Sequence, residues 1–125
     1  MKERVVVVED DELIRESLLE VLEENGYEAI GAGDGREALD KLAALDAPPC
    51  LIVLDLMMPG MDGREFRKHQ LEDPAIASIP VVVISAFRDL EEIAKELAPA
   101  GLFKKPLKLK DFLTIVQTHC PGVHA

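Results

Sequence analysis

Residues 51–55 read Leu-Ile-Val-Leu-Asp, a short apolar run that ends in a carboxylate. Val5–Val8 and Val81–Ile84 are runs of the same kind, and Leu102-Phe103 is a weaker one. None of these runs alternates apolar with polar residues. Continuous apolar runs of this length are typical of strands that are buried on both faces of a parallel sheet.

Helical patterns lie between the runs, and Tyr27–Ile30 provides a fifth, less regular strand candidate. The apolar stripes at helical spacing are Leu13, Ile14, Leu18, Val21 and Leu22, then Ala38, Leu39 and Leu42, and finally Leu109, Phe112, Leu113 and Val116. Asp34 and Asp62 are each followed three residues later by Glu, which predicts two capped helix starts. A strand and a helix that alternate five times predict a flavodoxin-like, doubly wound (βα)5 fold, with a parallel five-stranded sheet of order 2-1-3-4-5.

Length and composition bound the classes of protein. The 125 residues suit one domain, residues 1–125, with an ordered core of about 3–119. The formal net charge of −10 argues against binding nucleic acid or anionic membranes directly. No apolar run approaches the roughly 20 residues of a membrane span, and the start of the chain does not resemble a secretion signal. We therefore expect a cytoplasmic protein.

Cys50 and Cys120 lack the spacing of a disulfide framework or a metal site and are expected to be buried or idle thiols.

Chemically active residues follow four of the predicted strands. Glu9 and Asp10 follow the first strand, Asp55 ends the third, Ser85 ends the fourth, and Lys105 follows the fifth. In the predicted topology these residues meet at one edge of the sheet. Clustered carboxylates favour a divalent cation, and Mg²⁺ is the natural choice for oxygen ligands. An aspartate, a cation, a lysine and a hydroxyl are the groups that phosphoryl transfer to a carboxylate requires. A lone acidic group at a helix start is more simply a cap, and for Asp11 and Glu12 that interpretation is preferred.

The chain resembles response-regulator receiver domains over nearly its whole length. The resemblance is carried by four segments in order, namely Val7–Glu12, the loop Leu54–Gly63, Ile84–Ala86 and Lys104–Pro106. The ten-residue loop, Leu-Asp-Leu-Met-Met-Pro-Gly-Met-Asp-Gly, is the most specific of them.

The resemblance implies a role for each matching residue. Asp55 would be the phosphoacceptor, and Glu9 and Asp10 would hold Mg²⁺ (or Mn²⁺ as a substitute) together with Asp55 and the backbone carbonyl of Met57. Ser85 would be the switch hydroxyl and Lys105 the lysine that pairs with the phosphoryl group. Such a domain is a signalling switch that catalyses its own aspartyl phosphorylation and dephosphorylation, and not an enzyme acting on other substrates.

The resemblance also implies partners. The phosphoryl donor would be a phosphohistidine on a histidine kinase or a histidine phosphotransfer protein. A downstream effector, or a second copy in a homodimer, would read the face formed by the fourth helix, fifth strand and fifth helix. A stand-alone regulator, a phosphorelay intermediate and a part of a longer protein all remain open.

Three positions depart from the usual pattern or vary within it. Leu102 stands where the family usually has Tyr or Phe, and the aromatic residue is Phe103, which a strand directs to the opposite face. The usual aromatic coupling to Ser85 is therefore not expected. Met57 and Phe87 occupy the positions thought to tune hydrolysis in the family, and both are apolar, so we expect a long-lived phosphorylated form.

Three alternatives were weighed against the receiver interpretation. A haloacid-dehalogenase-like phosphatase needs a second aspartate two residues after the first, where this chain has Met57. A flavin-binding module needs a phosphate loop that is not acidic after the first strand. A degenerate receiver that only docks to a partner would lack one or more of the chemical groups, and all of them are present here.

Overall fold

The computed structural model describes residues 3–58, 60–86 and 95–121. The elements in chain order are β1 (Arg4–Val8), α1 (Glu12–Glu24), β2 (Glu28–Ala32), α2 (Gly35–Ala44), β3 (Leu51–Asp55), α3 (Gly63–Glu72), β4 (Val81–Ser85), α4 (residues 95–97), β5 (Gly101–Lys104) and α5 (Leu109–His119). None of the helices in these ranges is long and apolar enough to cross a membrane. Residues 87–94, in the segment between β4 and β5, lie outside the described residues.

Within the described ranges, five parallel strands form one sheet of order β2-β1-β3-β4-β5. This confirms the predicted topology. Val8 at the end of β1 is opposite Leu54 of β3, and Asp55 is opposite Ile84 of β4. β1 and β3 are neighbours in the sheet, but the connection after β1 leads to β2 on one side and the connection after β3 leads to β4 on the other. A crevice therefore opens between their carboxyl ends, at the topological switch point.

The sheet separates two apolar layers. Val6, Ile52 and Val83 pack with Phe66 of α3 and Leu42 of α2 on one face. The alternate residues, such as Val7 and Val53, pack on the other face with Leu22 of α1 and with Phe112 and Val116 of α5. Each fully buried side chain of this size contributes roughly 1.5–3 kcal/mol by leaving water. Burial on both faces explains why these strand sequences do not alternate.

The two predicted helix starts are confirmed. Asp34 accepts a hydrogen bond from the amide of Glu37 at 2.8 Å, and Asp62 accepts one from the amide of Glu65 at 3.0 Å. Asp11 caps α1 in the same way through the amide of Ile14. The capping interpretation of Asp11 was therefore right, and these bonds satisfy amides that the helices leave without a partner.

Some local expectations were wrong. The second strand is Glu28–Ala32 rather than Tyr27–Ile30, because pairing with β1 begins at Glu28 and the buried Tyr27 hydroxyl instead donates to the carbonyl of Cys120. Leu13 belongs to the apolar stripe of α1 in sequence, yet its side chain is 82% exposed. It lies in the first turn of the helix.

The expectation of buried or idle thiols was wrong about the thiols, although Cys120 is buried. Cys50 and Cys120 form a disulfide with a Cα–Cα separation of 5.7 Å. Cys50 directly precedes β3, and Cys120 follows the last residue of α5. The fold brings these positions together although 70 residues separate them. Spacing along the chain therefore carried no signal of the pair.

Candidate functional site

Three carboxylates converge at the crevice between β1 and β3. Ligand oxygens of Glu9, Asp10 and Asp55 all lie within 4.8 Å of one another. Glu9 is fully buried, Asp55 is nearly so, and Asp10 is exposed. The strand ends position them, since β1 delivers the first two and β3 delivers the third.

Lys105 reaches this cluster from the end of β5. Its Nζ donates a hydrogen bond to Asp55 Oδ2 at 3.0 Å and forms an ion pair with Glu9 Oε1 at 2.8 Å. The backbone amide of Lys105 donates to the carbonyl of Ser85, so the two residues leave the sheet side by side. The Lys105–Pro106 peptide bond is cis.

The charges in the site perturb one another. Burial raises the pKa of Glu9, the nearby carboxylate of Asp55 raises it further, and the ammonium of Lys105 offsets only part of this effect. For Lys105, burial disfavours the charged form, but the two carboxylates outweigh it and raise its pKa. The site thus holds more negative charge than one lysine balances.

The residues present fit a small divalent cation. Oε1 of Glu9 is buried, and the ammonium of Lys105 lies 2.8 Å from it. Two buried carboxylates beside an exposed one offer hard oxygen ligands with a face open to water, which is the environment that Mg²⁺ prefers.

The loop after β3 is held close beneath Asp55. The amide of Met57 donates to Asp55 Oδ1 at 3.2 Å, and the amide of Gly63 donates to the carbonyl of Leu56 at 3.1 Å. A Cβ on Gly63 would lie 2.7 Å from the carbonyl oxygen of Asp55, so only glycine permits this approach. The Met57 side chain is 56% exposed at the mouth of the site.

The other residues expected in the site are placed as follows. Ser85 is fully buried at the end of β4, one residue beyond the partner of Asp55 in the sheet register. Leu102 packs with the α2 and α3 side of the core, whereas Phe103 packs with the α1 and α5 side. Leu102 and Phe103 therefore face opposite sides of the sheet. Phe87 lies outside the described residues.

Sequence reasoning missed Arg15. This half-buried residue of α1 donates from its guanidinium to the backbone carbonyl of Glu9 at 2.8 Å. Its side chain lies across Gly31 of β2, where a Cβ would be 3.2 Å from the Arg15 Cδ. An arginine four residues into a helix gives no signal of its own, but a glycine in the neighbouring strand is a sign of close approach.

The geometry agrees with comparisons to known proteins. The profile of the response regulator receiver domain matches residues 5–117, and the chain belongs to this family of two-component signalling domains. The structure of the receiver domain of a signal transduction histidine kinase from Syntrophus aciditrophicus superposes with a TM-score of 0.85 at 29% identity, covering 97% of this chain and 92% of that one.

Two curated relatives are similar in sequence. The transcriptional regulatory protein PdtaR of Mycobacterium tuberculosis is 39% identical over 117 residues, which are 91% of this chain and 55% of PdtaR. The polar-differentiation response regulator DivK of Brucella anthropi is 31% identical over 121 residues, which are 95% of this chain and 97% of DivK. This chain therefore spans about half the length of PdtaR and nearly all of DivK.

Proposed function

We propose that Asp55 accepts a phosphoryl group from a phosphohistidine in a reaction that depends on Mg²⁺. The observation that carries the proposal is the position of the Asp55 carboxylate, which contacts the ammonium of Lys105 at 3.0 Å and lies within 4.8 Å of the carboxylates of Glu9 and Asp10. An acceptor in such a place has both a cationic group and a cation-binding group beside it.

The transfer replaces one bond to phosphorus by another. A carboxylate oxygen of Asp55 attacks the phosphorus, the phosphorus–nitrogen bond to the donor imidazole breaks, and the imidazole keeps the electron pair and takes up a proton. Glu9, Asp10, Asp55 and the Met57 carbonyl would hold Mg²⁺, which supplies positive charge to the phosphoryl oxygens. Lys105 exchanges its contact with Asp55 for one with a phosphoryl oxygen, and Ser85 donates a hydrogen bond to another.

Hydrolysis of the acyl phosphate returns the domain to its first state. Water breaks the bond between phosphorus and the Asp55 oxygen and releases inorganic phosphate. The exposed Met57 side chain offers no group that could orient this water.

The phosphorylated state would be read by an effector, or by a second copy of the chain, on the face of α4, β5 and α5.

The test is a phosphorylation assay followed by intact mass. Wild type is incubated with acetyl phosphate and Mg²⁺, and we expect one phosphoryl group, with none in the presence of a chelator. Asp55→Asn should gain none, and Asp10→Ala should need a much higher Mg²⁺ concentration than Glu9→Ala. Asp40→Ala, which removes an exposed carboxylate of α2, is the matched control and should behave as wild type.

Two results would contradict the proposal. Normal phosphorylation of Asp55→Asn would place the acceptor elsewhere. A folded wild type that takes no phosphoryl group from acetyl phosphate or from a phosphohistidine donor would support the docking-only alternative.

A further inference from the structure

The disulfide lies at the end of the sheet opposite to the acidic cluster. Cys50 precedes the first residue of β3, whereas Asp55 is the last residue of the same strand. Cys120 ends α5, and its Cα lies 5.7 Å from that of Cys50, a separation typical of disulfides. The chain contains two cysteines, so the bond within one molecule has no competing thiol from the same chain.

Both cysteines are held in place by contacts that do not involve the bond between the sulfurs. The amide of Cys50 donates to the carbonyl of Arg4 at 2.9 Å. The carbonyl of Cys120 accepts a buried hydrogen bond from the Tyr27 hydroxyl at 3.0 Å. Neither contact uses a sulfur atom, so we expect both to remain when the sulfurs are reduced and the two thiols to stay close enough to be oxidised again.

We propose that Cys50 and Cys120 form a reversible thiol–disulfide site whose reaction partner is a low-molecular-weight thiol or its disulfide. Cys50 is partly exposed and Cys120 is fully buried, so we expect an outside thiolate to attack at Cys50. Access of this kind decides which sulfur of a disulfide is attacked.

The exchange balances in two steps. A thiolate attacks the sulfur of Cys50 and forms a mixed disulfide, and Cys120 leaves as a thiolate that takes up a proton. A second thiolate attacks the mixed disulfide, releases the small-molecule disulfide and leaves Cys50 as a thiol. In sum, the protein disulfide and two small thiols give two protein thiols and one small disulfide.

The redox state sets how firmly α5 is attached to the sheet. Phe112 and Val116 bury the middle of α5 against the core in either state. The disulfide adds a covalent anchor at the C-terminal end of α5. After reduction, we expect the hydrogen bond from the Tyr27 hydroxyl to the carbonyl of Cys120 to remain at this end of the helix. Because α5 belongs to the face proposed for signal output, oxidation would make that face more rigid, a consequence that rests on the proposed function.

A metal site is the competing interpretation of the same residues. The carboxylate of Glu3 lies with the two sulfurs in a group whose ligand atoms are all within 4.8 Å. Two thiolates and a carboxylate suit a thiophilic cation such as Zn²⁺. The direct bond between the sulfurs favours the redox site, and the experiment below separates the two.

The experiment uses the whole chain without phosphodonor or Mg²⁺, so its outcome is independent of the proposed function. The protein is equilibrated at a series of ratios of reduced to oxidised glutathione, free thiols are alkylated, and intact mass is recorded. We expect both thiols to titrate together within the series. Full reduction should lower the thermal midpoint by about 10 °C or more, and should speed amide exchange in the last turn of α5 at least ten-fold.

The double variant Cys50→Ser with Cys120→Ser is the control, and its alkylated mass, thermal midpoint and amide exchange should not depend on the glutathione ratio. Four results would overturn the proposal: thiols that stay free at every ratio, a bond that survives every ratio, a bond that titrates without any change in α5 exchange, or reduced protein that binds Zn²⁺ one to one and then resists oxidation. Wild type alone decides among these results, even if the double variant fails to fold.

Discussion

At the scale of the residue, Glu9 and Lys105 determine the electrostatics of the site. Glu9 is fully buried beside Asp55, and Lys105 contacts both carboxylates. Burial raises the pKa of Glu9, and the Asp55 carboxylate raises it further, because one ammonium does not compensate two buried negative charges. In the proposed function, a divalent cation bound to these carboxylates would relieve this unfavourable cluster.

Glu9→Gln should therefore raise the thermal midpoint by a few degrees at pH 7 in the absence of divalent cations. The folded pKa of Glu9 lies above its ordinary value of 4.5, so the ionised form is the less stable one in the fold. The gain is full above the raised pKa and declines as the pH falls from there towards 4.5, because the wild-type carboxyl takes up a proton in the fold. Asp10→Asn at the exposed position is the control, and a Glu9→Gln protein less stable than wild type at pH 7 would contradict this account.

Met57→Asn should shorten the lifetime of phosphorylated Asp55 several-fold. The amide would give a water molecule at the mouth of the site a hydrogen-bonding partner, which the exposed thioether does not provide. The measurement is the loss of the phosphoryl group with time by intact mass. Leu71→Asn replaces a similarly exposed apolar residue of α3 and should leave the lifetime unchanged. Equal decay of wild type and Met57→Asn would show that this position does not limit the reaction.

The site residues at strand ends could be predicted from sequence, because a parallel sheet brings the carboxyl ends of its strands to one edge. Arg15 could not, since its role depends on how α1 lies across Gly31. The burial of Arg67 could not be predicted either. A charged residue is expected on the surface, but Arg67 is buried and donates hydrogen bonds to the carbonyls of Leu97 and Ala98. Contacts of this kind arise only when elements far apart in sequence pack.

At the scale of the element, local signals determined the helix starts and the buried strands. Asp34 and Asp62 cap their helices within three residues, so the sequence contains the whole interaction. The edge strand β2 was misplaced by one residue at its start and two at its end, because its bounds depend on pairing with β1. The loop between β3 and α3 combines both kinds of information, since Gly63 starts the helix and also contacts the backbone of β3.

Gly63→Ala should destabilise the fold by about 1–3 kcal/mol, as expected for an added methyl group in a packed site. The new Cβ would meet the carbonyl oxygen of Asp55 at 2.7 Å and the Cα of Leu56 at 2.8 Å, and neither can move without displacing the acceptor loop. Chemical denaturation measures the loss. Gly33→Ala is the control, because its Cβ would find ordinary contacts at 3.5 Å. Equal stability of the two variants would show that the close approach at Gly63 is not required.

At the scale of the whole molecule, the two ends of the sheet carry different chemical groups. The acidic cluster lies at the carboxyl ends of β1 and β3, and the disulfide lies at the opposite end of β3. The order of the strands was predictable from the alternation of apolar runs and helical stripes, whereas the pairing of Cys50 with Cys120 required the folded chain. The similarity to DivK over nearly its whole length and to about half of PdtaR fits a receiver unit that occurs in regulators of different size.

The central claim is that Asp55 carries the phosphoryl group, and chemical trapping tests it most directly. Protein phosphorylated with acetyl phosphate and Mg²⁺ is treated with borohydride, which reduces an aspartyl phosphate to homoserine, and the digested peptides are sequenced by mass spectrometry. We predict homoserine at position 55, with Asp10 and Asp11 unmodified. Homoserine at another aspartate, with position 55 unchanged in protein that has gained a phosphoryl group, would contradict the account.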